Sequence, residues 1–415
     1  MTEFFDALET RDPAEREAQQ MQALPRLIAH AQQRSVAMAE RLSGVDAATV
    51  TSRSALCKLP VTRKHELQAR QRELRATDPL GGFSALVRGP AMPRLFASPG
   101  PIYEPEGTAR DYWRTGRAMH AAGFRAGDLV HNAFSYHMTP GAFIMEAGAH
   151  AVGCTVFPAG VGQTEQQLQA ITDLRPNAFA GTPSFLRILL EKAREAGTDI
   201  ACLTKALTGG EALPPSLRDW FAGRGLDVYQ SYATADLGLI AYETSAREGL
   251  VIDEGVVVEI VRPGTGDLVA DGEVGEVVVT TLNPDYPLVR FGTGDLSAML
   301  PGRCPTGRTN ARLKGWMGRA DQTTKIRGMF VHPGQVADIA RRFPEVVKAR
   351  LVVTGAMAND TMTLRVEAAS RPQGLGARIG DAIRDVTKLR GDVELLEPGS
   401  LPNDGKVIED ARSYE

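Results

Sequence analysis

Apolar residues recur at helical spacing near the start of the chain, where Met21, Leu24, Leu27 and Ile28 form one face. Residues 1–75 are therefore expected to be helical. Between about residues 80 and 240, short apolar runs alternate with longer amphipathic stretches. DLVHNAFSY predicts a strand entering a loop, FIMEAGAHAVG a helix, CTVFPAG a strand and turn, and EQQLQAITDLRP a helix. This alternation is typical of a parallel sheet wrapped by helices.

The pattern changes twice in the second half of the chain. GVVVEIVRP, GEVGEVVVTTL and PLVRFGTGDLSAML are β-rich runs separated by Gly, Asp and Pro. After Gly318 the runs indicate a compact α+β module. The fold class is α/β, with a boundary near Arg319–Asp321. Four parts are expected: a helical part (1–75) and an α/β core (76–245) of one large domain, a β-rich subdomain (246–320) and a C-terminal α+β domain (321–415).

Composition narrows the classes of function. The chain has 415 residues, 43% of them hydrophobic and 23% charged, with a net charge of −3. This balance is that of a soluble globular protein and offers no basic surface for nucleic acid or for a membrane. The scattered cysteines lack metal-ligand spacing, the acidic N-terminus lacks the features of a signal peptide, and no apolar stretch approaches the roughly 18–20 residues of a membrane span. A cytoplasmic protein is expected.

Three motifs could carry chemistry, although each has an ordinary structural interpretation. In RFGTGDLS (290–297) two glycines present Asp295 at a strand end, where a carboxylate can accept hydrogen bonds from a ribose diol. Alone, it is a common β-turn aspartate. GRADQTTKIRGMF (318–330) gathers the cations Arg319, Lys325 and Arg327, which also suit a solvated linker. LPNDGKVIED carries Lys406 after a Pro–Asn–Asp–Gly turn, and an isolated lysine of this kind is usually an exposed, idle side chain.

The order of these motifs resembles the adenylate-forming superfamily of acyl-CoA synthetases, and the phenylacetate–CoA ligase branch in particular. The likeness extends over nearly the whole chain. It includes LPVTRKHEL (59–67), the aromatic-rich stretch at 132–160, and then FAGTPSFL, LTGGEALPPSLR and YQSYATADLGLIAYE in the family's order.

The resemblance implies a role for each matching residue of the nucleotide site. Gly209, Gly210 and Glu211 would form the loop against adenine, and Tyr232, next to Ala233, would border the base. Asp236 would bind Mg²⁺ bridging the nucleotide phosphates.

The resemblance also implies roles in the C-terminal part. Asp295 and Arg319 would hold the ribose, in the basic neighbourhood of Lys325. Asp321 would be the hinge of a mobile C-terminal domain, Gly328 would lie beside the pantetheine channel, and Lys406 would be the adenylation lysine.

The acid would occupy a largely apolar pocket. The side chains expected to line it are aromatic or large, although ordinary core packing is an alternative interpretation for each: Phe134, Tyr136, His137, Met138 and Phe143.

One segment departs from the family pattern. Where a loop like SSGTTGKP would cradle the triphosphate, this chain has Ser98-Pro99-Gly100-Pro101-Ile102-Tyr103-Glu104-Pro105. Two prolines remove backbone donors, Tyr103 replaces a glycine, and Glu104 replaces a lysine. A carboxylate near phosphates costs about 1–4 kcal/mol. In the Tyr-Gly-x-Thr-Glu motif, Ala233 and Asp236 likewise replace the glycine and the glutamate.

The leading hypothesis is an acid–CoA ligase that uses ATP, Mg²⁺ and coenzyme A on an aromatic or similar small carboxylic acid, and by resemblance forms a homodimer. One alternative transfers the acyl group to an amine or a carrier protein. Another is a non-catalytic ligase homologue that binds AMP or acyl-CoA. A nicotinamide-dependent oxidoreductase is disfavoured because no GxGxxG motif follows a strand and opens a helix.

Overall fold

The computed structural model describes residues 3–322, 324–326, 329–355, 360–402 and 406–412. The chain divides into two compact units. Unit 1 comprises Met1–Thr293 and Ala298–Trp316, and unit 2 comprises Gly294–Ser297 and Met317–Glu415. The boundary expected near Arg319–Asp321 follows shortly after this division. The finer partition of the first 320 residues remains a prediction.

The helices often begin at residues that can accept hydrogen bonds from the first turn. Asp12 accepts from Ala14 and Glu15 ahead of the first helix, and Thr182 accepts from Phe185. The helices are α1 (Pro13–Arg34), α2 (Val36–Arg41), α3 (Arg53–Leu56), α4 (Lys64–Glu73), α5 (Gly116–Ala121), α6 (Gly141–Val152), α7 (Thr164–Leu174), α8 (Pro183–Ala196), α9 (Pro215–Ala222), α10 (Pro333–Arg341) and α11 (Leu375–Thr387). Short 3-10 turns cover Ala7–Thr10, Ala47–Thr49 and Ala320–Gln322.

The strands up to residue 261 are β1 (Thr62–Arg63), β2 (Arg94–Ser98), β3 (Ile102–Glu106), β4 (Leu129–Asn132), β5 (Thr155–Phe157), β6 (Ala178–Gly181), β7 (Lys205–Thr208), β8 (Asp227–Thr234), β9 (Gly238–Glu243), β10 (Leu250–Ile252) and β11 (Val256–Val261). Those that follow are β12 (Gly275–Thr281), β13 (Phe291–Ser297), β14 (Met299–Leu300), β15 (Arg312–Leu313), β16 (Thr324–Ile326), β17 (Met329–Val331), β18 (Val346–Thr354), β19 (Thr361–Ala368), β20 (Asp392–Leu396) and β21 (Ile408–Asp410).

The largest sheet of unit 1 has the order β14-β15-β10-β9-β8-β7-β6-β4-β5. From β5 to β8 its neighbouring strands are parallel, and from β8 to β14 they are antiparallel. The parallel half follows from the strand–helix alternation, because parallel neighbours need a crossover connection. The sheet is therefore mixed, and β10, β14 and β15 of the β-rich segment extend it.

A second sheet has the order β1-β13-β12-β11, and the hairpin β2–β3 stands apart from both sheets. The strands β11 and β12 are buried throughout, which matches their continuous apolar runs. Helix α1 packs its apolar face, with Leu24 and Ile28, into the same hydrophobic cluster as these strands.

Unit 2 has its own core. Its main sheet has the order β20-β19-β18-β21, and β16 and β17 form a separate antiparallel hairpin. The apolar faces of α10 and α11 pack on the main sheet through residues such as Ile339, Ile379 and Ile383. A separate hydrophobic core is the mark of an independent domain.

The predicted fold class is confirmed, with α/β elements and a separate C-terminal part. The strand and helix predictions between residues 128 and 175 are also confirmed by β4, α6, β5 and α7. Within the described ranges, no helix combines the length and the apolar character needed to cross a membrane.

Candidate active site

The turn between β8 and β9 carries Asp236. The Thr234 hydroxyl accepts a hydrogen bond from the Leu237 amide at 3.2 Å, which closes the turn. Gly238 has φ +70°, and a Cβ there would lie 2.8 Å from the Trp113 carbonyl oxygen. A glycine is therefore required both by its conformation and by the close approach of the neighbouring backbone. This turn places the Asp236 carboxylate inside the molecule, with a fully buried side chain.

Arg114 fixes this turn from the outside. It is a non-glycine residue with φ +65°, a conformation that surrounding contacts must stabilise. Its guanidinium donates to Asp253 Oδ1 at 2.9 Å, to the Leu239 carbonyl at 3.0 Å, and to the Leu237 carbonyl. Two of these acceptors, Leu237 and Leu239, follow Asp236 closely along the chain, so Arg114 holds the backbone on the C-terminal side of the carboxylate.

Helix α4 presents polar side chains along one face to the same region. Lys64, Gln68 and Gln71 are spaced at helical intervals, which place them on a common side. The Lys64 ammonium lies 2.8 Å from Asp236 Oδ2. Gln71 exchanges two hydrogen bonds of 2.8 Å with the backbone of Tyr103, and Gln68 donates to the Gly100 carbonyl. Helix α4 therefore joins Asp236 to the hairpin β2–β3.

This hairpin is the segment expected to replace the family's phosphate loop. Strands β2 and β3 pair from Arg94↔Glu106 to Ser98↔Ile102, and the Pro-Gly-Pro turn between them is exposed. Glu104 was expected in the loop beside the phosphates, but it lies in strand β3 and is 1% exposed. Alternation along the strand turns this side chain inward.

The Glu104 carboxyl group uses donors from its own hairpin. The Ser98 hydroxyl donates to Oε1, and the Ser98 amide donates to Oε2 at 3.3 Å. Burial, followed by the nearby negative charge of Asp236, raises the pKa of Glu104 to about 8, although Ser98 and Lys64 act in the opposite direction. Glu104 and Asp236 are thus electrostatically coupled carboxyl groups in one interior cluster.

Tyr286 lies within electrostatic reach of both carboxyl groups. It is 2% exposed, and burial together with the charges of Asp236 and Glu104 raises the pKa of its phenol well above the ordinary value. Neither its hydroxyl nor Asp236 Oδ1 has a hydrogen-bond partner among the described residues, although both atoms are buried. A buried donor and a buried acceptor without partners are expected to be satisfied by a bound group. We call Lys64, Ser98, Glu104, Asp236 and Tyr286 the carboxyl cluster.

The expected adenine loop follows strand β7. Gly210 has φ +75°, and a Cβ there would lie 3.9 Å from the Phe134 ring. The exposed Glu211 accepts from the Ser184 hydroxyl at 2.9 Å, which links the loop to the start of α8. Tyr232, beside the half-buried Ala233 in β8, donates from its hydroxyl to Thr293 Oγ1 at 3.2 Å.

The expected acyl-pocket residues separate into two groups. Phe134 and Tyr136 are partly buried, and Tyr136 makes an edge contact with Phe143 at a centroid distance of 5.3 Å and donates to Glu146 at 2.6 Å. His137 and Met138 are exposed, Met138 by 72% with φ +62°. The Met138 carbonyl accepts from the Ala97 amide of β2 at 2.8 Å.

The ribose residues of the prediction meet within unit 2. Asp295 and Arg319 form a β-bridge, and Arg319 Nη1 lies 3.1 Å from Asp295 Oδ1. Gly294 has φ +74°, and a Cβ there would lie 2.6 Å from the Arg319 guanidinium. Gly294 of the RFGTGDLS segment therefore makes room for this ion pair.

The remaining predicted residues are only partly described. Asp321 lies in the 3-10 turn Ala320–Gln322 and Lys325 in β16, but their side chains fall outside the description. Gly328 lies outside the described residues. Lys406 is exposed, and the amide of its neighbour Val407 donates to the Gln322 side chain at 2.8 Å.

Comparison with known proteins gives the family. Residues 108–283 match the family model described as AMP-binding enzyme. The chain is 31% identical to a phenylacetate–coenzyme A ligase of Thermus thermophilus over 95% of each chain. It is 32% identical to one of Aromatoleum evansii over 78% of this chain and 74% of that protein. The chain belongs to the phenylacetate–coenzyme A ligase family. The predicted family and the predicted AMP-forming ligase class of enzyme are both confirmed.

The fold agrees with a solved structure. An open conformation of 2-hydroxyisobutyryl-CoA ligase, in complex with 2-HIB-AMP and CoA, superposes with a TM-score of 0.85 over 97% of this chain and 93% of that chain, at 24% identity. At this identity the likeness establishes the architecture alone.

In this member of the phenylacetate–coenzyme A ligase family, the sequence alone does not identify Lys64, Arg114 or Tyr286 as residues of the site. A signal existed only for Lys64, because Lys64, Gln68 and Gln71 form a polar stripe beside the buried Leu67. Arg114 acts through contacts with residues distant in sequence, and Tyr286 is linked to the cluster through charges on distant segments. The described residues contain no group of three or more His, Cys, Asp or Glu side chains that could hold a metal ion. Asp236 can nevertheless offer a single carboxylate oxygen, as suits Mg²⁺ shared with phosphates and water.

Proposed function

We propose that this chain activates a small carboxylic acid as its acyl-adenylate, using ATP and Mg²⁺, and then transfers the acyl group to coenzyme A. The observation that carries this proposal is the buried Asp236 carboxylate. Its Oδ2 is held by Lys64, and its Oδ1 has no partner among the described residues. Family membership supplies the class of reaction, and a buried carboxylate with one oxygen unpartnered among the described residues supports a role for Asp236 in holding a phosphate-bound metal.

The chain's own residues divide the task between binding and charge stabilisation. Asp236 would hold Mg²⁺, which supplies positive charge to the phosphates when bound. Asp295, positioned by Arg319, would accept hydrogen bonds from the ribose hydroxyls. Lys406 would place its ammonium against the charge that develops as the acid oxygen attacks phosphorus.

The aromatic segment supports the proposed class of substrate. Phe134, Tyr136 and Phe143 would offer apolar ring surface to an aromatic or similar small acid. The same proposal assigns three further roles: a hinge to Asp321, a place beside the pantetheine to Gly328, and a place near the nucleotide to Lys325. It also includes a cytoplasmic location and a homodimer.

The experiment is a product assay with a panel of aromatic and short aliphatic acids. ATP, Mg²⁺ and coenzyme A are supplied, and AMP and the CoA thioester are measured by mass spectrometry. We expect both products with at least one acid. Lys406→Ala should lower AMP formation by about a hundredfold to a thousandfold, as the loss of one charge-stabilising group does elsewhere. Lys388→Ala, an exposed lysine of the same unit, should have little effect.

Two outcomes would redirect the proposal. Release of AMP without thioester would indicate an amine or a carrier protein as the acceptor. The buried Glu104 favours a second candidate function, a protein that binds AMP or acyl-CoA without turnover. Tight AMP binding with no product from any acid, and no effect of Lys406→Ala, would support that candidate.

A further inference from the structure

The carboxyl cluster differs from an open phosphate site in how its donors are used. The Ser98 amide and hydroxyl both donate to the Glu104 carboxyl group. The Lys64 ammonium lies against Asp236. Amides, hydroxyls and ammonium groups are the groups that bind phosphate oxygens in proteins. In this chain, donors of all three kinds contact carboxyl oxygens of the chain itself.

Glu104 cannot easily leave this position. Its strand is paired with β2 along its whole length, and Gln71 holds the neighbouring Tyr103 at both backbone groups. Two residues farther along, Glu106 is anchored by the Trp113 indole at 3.0 Å and by Arg94 at 2.8 Å. A ligand that needs the Ser98 donors must therefore displace the Glu104 side chain within a fixed hairpin.

The cluster nevertheless retains two groups that a smaller ligand could satisfy. The Tyr286 hydroxyl and Asp236 Oδ1 are buried without partners among the described residues. A hydroxyl donor and a carboxylate oxygen can serve one phosphate group and its accompanying metal ion. They do not provide the several additional donors that a β- and a γ-phosphate require.

We infer that Glu104 occupies, from within the chain, the donors that the outer phosphates of a nucleotide would use, so that this site binds a nucleoside monophosphate more tightly than the corresponding triphosphate. The inference rests on the proposed function, because it assumes that the site accepts an adenine nucleotide. Glu104 is then a specificity-determining residue, which weakens ATP binding and leaves the binding of AMP or an acyl-adenylate largely unchanged.

The test is calorimetric titration of the full-length protein with AMP and with ATP, each in the presence of Mg²⁺. The wild-type protein should bind AMP about tenfold or more tightly than ATP, a difference of about 1.4 kcal/mol. Glu104→Ala frees the Ser98 donors, and Glu104→Lys also adds a cation. Both should tighten ATP binding about tenfold and change AMP binding by less than about threefold.

Two further variants separate occupancy of the donors from charge and from folding. Glu104→Gln retains an acceptor for Ser98, so its gain in ATP affinity should be smaller than that of Glu104→Ala. Glu106→Ala truncates a second buried glutamate of the same hairpin. It should leave the ratio of AMP to ATP affinity unchanged, even if it lowers the melting temperature.

The outcomes distinguish this inference from the proposed function. Equal or tighter binding of ATP by the wild-type protein overturns the inference, whether or not thioester is formed. An equal change of both affinities in Glu104→Ala also overturns it. Tight AMP binding with the predicted ratio, but no thioester from any acid, supports the inference and removes the proposed ligase activity. Failure to bind either nucleotide overturns both.

Discussion

Glu104 and Asp295 are two carboxylic acids on strands, and both were expected to lie beside the nucleotide. The Asp295 side chain is 13% exposed and lies 3.1 Å from the Arg319 guanidinium. Glu104 is 1% exposed and is hydrogen-bonded by Ser98, and burial and the charge of Asp236 raise its pKa. The motif around Asp295 retains the family's residues, whereas the segment around Glu104 does not. A carboxylate with a cationic partner near solvent can receive a ligand, whereas a carboxyl group buried with donors from its own hairpin occupies the place of a ligand.

The largest effect on the free energy of unfolding is expected at Arg114, which holds the turn that carries the buried Asp236. Arg114→Ala removes hydrogen bonds to two carbonyls that follow Asp236 in the chain, and it removes one partner of the buried Asp253. The free energy of unfolding should fall by about 3 kcal/mol, near the lower end for a broken buried ion pair, because Arg117 still pairs with Asp253. Urea unfolding measures this change. Arg110→Ala, an exposed neighbour, should change it by less than about 0.5 kcal/mol.

An Arg114→Ala protein as stable as the wild type would show that the turn carrying Asp236 is held by its own hydrogen bonds. The contrast between the region around Asp295 and the region around Glu104 would then depend on the Glu104 side chain alone.

The second largest effect is expected on AMP binding, at Asp295, whose motif retains the family's residues. Asp295→Ala should weaken AMP binding by about tenfold to a hundredfold, because charged hydrogen bonds contribute about 1.5–3 kcal/mol. The decisive comparison uses AMP and its 3′-deoxy analogue in calorimetry. The wild-type protein should discriminate between them, and Asp295→Ala should do so much less. Asp381→Ala removes an exposed aspartate of the same unit and serves as the control. Unchanged discrimination in Asp295→Ala would remove Asp295 from the ribose site.

The smallest effect is the pH dependence of stability. The pKa of Glu104 is raised from 4.5 to about 8, so between these values the folded protein holds a proton that the unfolded chain has released. Stability must therefore fall as the pH rises through this window. In metal-free buffer, the free energy of unfolding of the wild type relative to Glu104→Gln should fall by about 1–2 kcal/mol from about pH 6 to pH 7.5.

Parallel pH profiles for the two proteins would mean that Glu104 titrates normally. That result would place the carboxyl group in contact with water rather than within the cluster.

Much of the fold could be predicted from the sequence, because strand–helix alternation is a local pattern. The alternation predicted β4, α6, β5 and α7, and the order of the motifs linked Asp295 to Arg319. The carboxyl cluster could not be predicted in the same way. Lys64 and Asp236 are 172 positions apart, and their contact depends on how α4 lies against the hairpins. The substitution at Glu104 is visible in the sequence, but its inward orientation follows from strand β3, where the family resemblance implies a loop.

The hydrogen bond from the Ala97 amide to the Met138 carbonyl has a thermodynamic consequence. It joins the strand that contains Ser98 to the segment expected to meet the acid. An acid that displaces the backbone at Met138 must strain or move β2, and thereby alter the nucleotide's surroundings. Linkage then requires reciprocity: whatever factor the acid applies to nucleotide affinity, the nucleotide applies to acid affinity. The acid and the nucleotide are therefore expected to bind with a measurable coupling free energy.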